Sequence, residues 1–135
     1  MFAVVLALVG AGCASNDNST VEGPPSASAT AAASSSPATF SGSTFAFTLK
    51  ADNDGSRFYF EPSSINAAKG ATATITLHNV GTVEHNLSIP SAHVDKDVEA
   101  GKTVTVSVPL GSGATVPFFC KYHKGSGMTG AFTLR

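Results

Sequence analysis

Ala71-Thr72-Ala73-Thr74-Ile75-Thr76-Leu77-His78 decides the architecture of this chain. Ala71, Ala73, Ile75 and Leu77 alternate with Thr72, Thr74, Thr76 and His78, the period of two that marks a strand with one buried face. The same alternation recurs on both sides. Upstream, Phe45, Phe47 and Leu49 alternate with Thr44, Ala46 and Thr48; downstream, Val104, Val106 and Val108 alternate with Thr103, Thr105 and Ser107, and Phe132 and Leu134 close the chain. Turn-forming residues interrupt these runs at Asp52-Asn53-Asp54-Gly55, Lys69-Gly70, Asn79-Val80-Gly81, Gly101 and Gly111-Ser112-Gly113. The spacing predicts an all-β domain over residues 43–135, a sandwich of about seven to eight short, mostly antiparallel strands. No helix longer than a turn or two is expected.

Further out, the composition changes. Residues 14–42 are rich in Ser, Ala, Thr, Pro and Asn, with only Asp17 and Glu22 charged. Such a segment buries too little apolar surface to offset the entropy of ordering, so it is expected to be a flexible tether with a reach of roughly 30 Å. Met1 to Gly12 is almost wholly apolar and runs into Cys13. About eleven apolar residues are too few to span a bilayer, which takes about 20, but they suit the apolar core of an export signal. Residues 1–13 resemble a bacterial lipoprotein signal, in which Cys13 would be lipidated and become the new N-terminus. Gly10 stands where that pattern prefers Leu, and the first basic residue is Lys50. The expectation is an extracytoplasmic domain on a lipid anchor, with plain secretion as the alternative.

With 135 residues and a net charge of −1, the chain fits one ordinary domain and offers no basic surface for a nucleic acid. Of its two cysteines, Cys120 lies far from Cys13, and a bridge between them would tie a loose tail to the folded part for little gain. Each is expected to have its own role.

Two segments carry the chemistry. One is Val83-Glu84-His85-Asn86-Leu87-Ser88-Ile89-Pro90; the other is Phe118-Phe119-Cys120-Lys121-Tyr122-His123-Lys124-Gly125-Ser126-Gly127-Met128-Thr129-Gly130. Alternation puts His85 on the apolar face with Val83, Leu87 and Ile89, and Glu84, Asn86 and Ser88 on the other. A buried imidazole is either a hydrogen-bonded core residue or a ligand. His78 falls on the threonine face and His93 in the polar stretch 91–97, where water satisfies them. Cys120 shares a face with Val116 and Phe118, as a small hydrophobe would. His123 follows three residues later, and Gly125 and Gly127 let the chain turn back to bring in Met128. Two His, one Cys and a weak Met form the donor set of a blue-copper electron-transfer site. Zinc competes for Cys and His, but structural zinc sites rarely take a thioether.

Cys120-x2-His123-x4-Met128, with His85-Asn86 upstream, resembles the plastocyanin branch of the cupredoxins over residues 43–135. The resemblance implies a Greek-key β-sandwich of eight strands with one type 1 copper. His85, Cys120 and His123 would be its equatorial ligands and Met128 the axial one. Asn86 would brace the ligand loop by hydrogen bonding, and electrons would pass at the edge of His123 through a solvent-facing apolar patch. Leu110, Gly111, Gly113 and Gly125 are the candidates for that patch. Tyr122 departs from the family, where proline usually precedes the second histidine.

The function expected is one-electron transfer outside the cytoplasm by a monomer that meets its redox partner proteins transiently and reaches the membrane through its lipid anchor. Lys121 and Lys124 either steer an acidic partner or are only solvated loop charges. The alternative function is a copper carrier or buffer, although no Met-rich tail accompanies the site. An enzyme would need a second, open metal site, and no second histidine cluster is evident, so catalysis is not expected.

Overall fold

The computed structural model describes residues 36–135. The signal and Cys13, together with most of the tether, lie outside the described residues. The ten strands are β1 (Ala38–Thr39), β2 (Thr44–Asp54), β3 (Arg57–Glu61), β4 (Ser64–Ala67), β5 (Thr72–Asn79), β6 (His85–Ile89), β7 (Val94–Val98), β8 (Thr103–Pro109), β9 (Thr115–Phe119) and β10 (Thr129–Leu134). They form a six-stranded sheet in the order β1-β4-β10-β9-β6-β7 and a four-stranded sheet in the order β3-β2-β5-β8. The strand count exceeds the seven to eight expected, because β1, β4 and β7 are short or charged and carry little alternation. Three pairs, β1–β4, β4–β10 and β2–β5, run parallel, and the others are antiparallel. Helical structure among the described residues is confined to two 3₁₀ turns, Pro90–Ala92 and Lys124–Ser126. None of it is long and apolar enough to cross a membrane.

The alternating runs place their apolar residues between the sheets. Ala73, Ile75 and Leu77 of β5 are fully buried, as are Leu87 and Ile89 of β6, Val108 of β8 and Phe132 of β10. His78 stays half-exposed on the threonine face and His93 is exposed in the left-handed position that ends the first 3₁₀ turn. The stretch 91–97, expected as a polar loop, instead contains most of β7, whose Asp95, Lys96 and Asp97 are exposed. β7 is an edge strand of its sheet, where charged residues cost nothing and discourage pairing with other chains.

The ordered body also reaches into the stretch assigned to the tether. Ala38 and Thr39 pair with Ile65 and Asn66, and Phe40 stacks on Phe45 with ring centroids 4.6 Å apart. In the middle of the same sheet, Gly130 lies opposite Phe118 in the β9–β10 register. A Cβ on Gly130 would collide with the Phe118 ring and the Ser63 carbonyl, so β9 and β10 approach this closely only with glycine there. That contact fixes both ends of the loop from Cys120 to Met128.

Candidate metal centre

His85 opens β6 and is fully buried. The loop before it is pinned by two asparagines. Buried Asn79 donates through Nδ2 to the carbonyls of Val83 and Val98, at 2.7 and 2.9 Å, and accepts from the Gly81 amide at 2.9 Å. Asn53 accepts from the Thr82 amide at 2.8 Å. Sequence reasoning missed both; a buried Asn closing a strand is the signal that could have found Asn79.

Cys120 follows the last residue of β9 and is fully buried. Its amide donates to the Met128 carbonyl at 3.1 Å, and its own carbonyl accepts from the His123 amide at 3.2 Å. The His123 carbonyl accepts from the amides of Ser126 and Met128, at 3.0 and 3.1 Å. Gly127, at φ +88°, makes the turn that closes this ring of bonds. Gly125 has no such conformation, so one glycine rather than two performs the reversal. The loop thus brings Cys120, His123 and a fully buried Met128 together through its own backbone.

The donor atoms of His85, Cys120 and His123 all lie within 4.8 Å of one another. Cys120 Sγ is 3.4 Å from His123 Nδ1, and the two imidazole centroids are 5.0 Å apart. Neither ring nitrogen of His85 has a hydrogen-bond partner, although both are buried. Burial holds the pKa of His85 down to about 4, helped by repulsion from His123 and opposed by Asp52. Burial also lowers that of His123. Both rings are therefore neutral at pH 7, the form that binds metal. An orphaned, neutral imidazole facing a thiol and a second imidazole is what a metal would satisfy. A thiolate and two imidazoles, with a thioether buried in the same loop, suit copper.

The outer face of β6 is also closed. Asn86 and Ser88, on the side opposite His85, are buried rather than solvated. Asn86 Nδ2 donates to Asp95 Oδ1 at 2.6 Å and Asp97 Oδ1 at 2.9 Å, while its Oδ1 accepts from Ser88 Oγ at 2.6 Å and the Lys121 amide at 3.3 Å. The last of these bonds reaches the ligand loop, where the family resemblance places the bracing contact. Lys121 Nζ sits 2.9 Å from Asp95 and 2.8 Å from Asp97. It is committed to these carboxylates, which raise its pKa, and is not a free charge for steering. Lys124 Nζ lies over the Phe119 ring at 4.3 Å. Leu110, expected in an exposed apolar patch, is buried because the strand end turns it into the core; among the described residues the large exposed apolar ones are Val80, Val83 and Tyr122. Phe58, from β3, stacks on His123 and was not singled out from the sequence; it sits in the aromatic run Phe58-Tyr59-Phe60.

The Cupredoxin-like domain family matches residues 26–133. Among curated proteins none matches the chain. Several solved structures share the fold. Auracyanin from Roseiflexus castenholzii is 18% identical with a TM-score of 0.55, covering 71% of this chain and 99% of its own. The metal-binding domain of the Cu(I)-exporting ATPase CopA from Streptococcus pneumoniae is 11% identical with a TM-score of 0.59, covering 75% of this chain and 97% of its own. The copper nitrite reductase of Thermus scotoductus is 23% identical with a TM-score of 0.58, covering 68% of this chain but only 28% of the reductase. The family match spans most of the chain, and the donor set lies where β6 and the β9–β10 loop converge: this protein belongs to the cupredoxin-like family, and its cofactor is one copper ion.

Proposed function

We propose that the protein is an extracytoplasmic one-electron carrier, with copper held by His85, Cys120, His123 and Met128. The observation that carries this reading is His85, a neutral imidazole buried with neither nitrogen partnered and facing a thiol and a second imidazole. When bound, copper would supply a one-electron Cu(I)/Cu(II) couple. The chain does the rest. Hydrogen bonds among Cys120, His123 and Met128 hold the loop in one shape, so the donors need little rearrangement between redox states. Burial of His85, Cys120 and Met128 excludes water, while His123 stays half-exposed and offers an edge to a partner. Transient pairing with redox proteins as a monomer and attachment to a membrane through Cys13 belong to the same proposal.

The test is to add Cu(II) to the full chain and record its visible spectrum beside Cys120→Ser. An intense blue band that disappears in the variant is expected. A colourless protein that still binds Cu(I) would overturn electron transfer and put copper handling in its place.

A further inference from the structure

The acidic residues Asp95 and Asp97 face the back of the metal centre. They lie two residues apart on β7 and share one face of it, because Asp97 is registered against Asn86 and Asp95 against Ser88. Four groups converge on the two carboxylates: both donors of the buried Asn86 amide, the Lys121 ammonium and the Tyr122 hydroxyl, the last 3.0 Å from Asp97 Oδ1. Lys121 and Tyr122 are the two residues between Cys120 and His123. The segment joining two donors is therefore fastened through both of its side chains to β7, a neighbouring strand that supplies no donor, and through the Lys121 amide to Asn86 on β6.

An isolated exposed ion pair is too weak to hold a loop, whereas several charges sharing partners can. Here the network is anchored in the interior. Asn86 is fully buried and every hydrogen-bonding position of its amide is used. Releasing the carboxylates would leave two buried N–H donors unsatisfied, so the clamp and the burial of Asn86 stand or fall together. Lys121 also lies over the Tyr122 ring at 5.1 Å, which ties the two clamped side chains to each other.

We propose that Asp95 and Asp97 are positioning residues of the metal centre, a clamp that holds the Cys120–His123 segment closed through Lys121, Tyr122 and Asn86. The clamp limits local opening of the loop, and so limits access to the Cys120 thiol and release of metal. The second consequence rests on the copper reading above; the first does not.

The experiment uses the full chain, metal-free, as wild type, Asp95→Asn/Asp97→Asn, Tyr122→Phe and a control, Lys50→Met. The control breaks the surface pair with Glu61 that lies away from the site. Modification of Cys120 by a disulfide reagent is followed by peptide mass, which separates it from Cys13. The double variant should react about tenfold faster and Tyr122→Phe about threefold faster, with Lys50→Met unchanged, as expected if local opening exposes the thiol. A double variant that folds and reacts like the control overturns the clamp. Should it fail to fold, Tyr122→Phe, which removes one exposed hydroxyl, decides by the same comparison. In the copper-loaded protein, loss of metal to a Cu(I) chelator should accelerate in the same order. A wild type with no blue band would count against the carrier function and leave the thiol result to judge the clamp.

Discussion

The ring of Phe58 lies flat against that of His123, with 3.9 Å between centroids and 6° between planes. Phe58 lies on β3 of the four-stranded sheet, whereas His123 lies in the loop joining β9 and β10 of the six-stranded sheet. Phe58 thus covers one face of the half-exposed histidine, and the pKa of His123 is lowered by burial. Phe58→Ala should uncover the ring and raise that pKa back toward the ordinary 6.5. Titration of the His123 ring protons by NMR in the metal-free protein checks this, and an unmoved midpoint would show that other groups supply the burial.

His85 gives metal-free stability a pH dependence of defined sign. Its folded pKa, about 4, lies below the ordinary 6.5, so the unfolded chain binds the proton first as pH falls. Its contribution is complete above pH 6.5 and is lost progressively down to about pH 4. That difference corresponds to an order of 3 kcal/mol at most. Denaturant melts of metal-free protein at pH 7 and pH 4 should show this loss beyond any shared acid effect, and His85→Gln should diminish it.

Met128 can be separated from an ordinary core residue. It is fully buried, and Met128→Leu conserves volume, so metal-free stability should fall by less than about 1.5 kcal/mol. The reduction potential should nevertheless rise, because losing a donor weakens the hold on Cu(II) more than on Cu(I). A variant with an unchanged potential would show that the thioether acts as packing alone.

Gly130→Ala tests the close approach of β9 and β10. The added methyl meets the Phe118 ring and a backbone carbonyl that cannot swing away. Overpacking of this kind costs about 1–3 kcal/mol. Gly125→Ala, where a Cβ meets open space at an ordinary backbone angle, should lie within about 0.5 kcal/mol of wild type. Thermal melts of the two variants side by side make the comparison.

Much of this was legible because burial on one face leaves its mark locally. Ile75 and Leu77 declare β5, and the same alternation turns His85 and Cys120 inward. The spacing from Cys120 to Met128 lies within one loop, so it too is readable without knowing the fold. What escaped the sequence depends on register between distant segments. Val94-Asp95-Lys96-Asp97-Val98 looks like a loop because an edge strand needs little apolar patterning. The partners of Lys121 follow only once β7 is laid beside β6, and the stacking of Phe58 on His123 only once the two sheets face each other. Burial of Asn86 escaped for the same reason, since alternation alone sends it to solvent.

The bonds among Cys120, His123 and Met128 also hold the donor loop from within. Three of the four donors lie within nine residues and are arranged by backbone hydrogen bonds that require no metal. His85 is delivered by a strand whose place is secured by its fully buried Leu87 and Ile89. Both the loop and the strand that carry the donors are thus held by the chain's own bonds and packing, so stripping copper from the protein is expected to leave the sandwich folded.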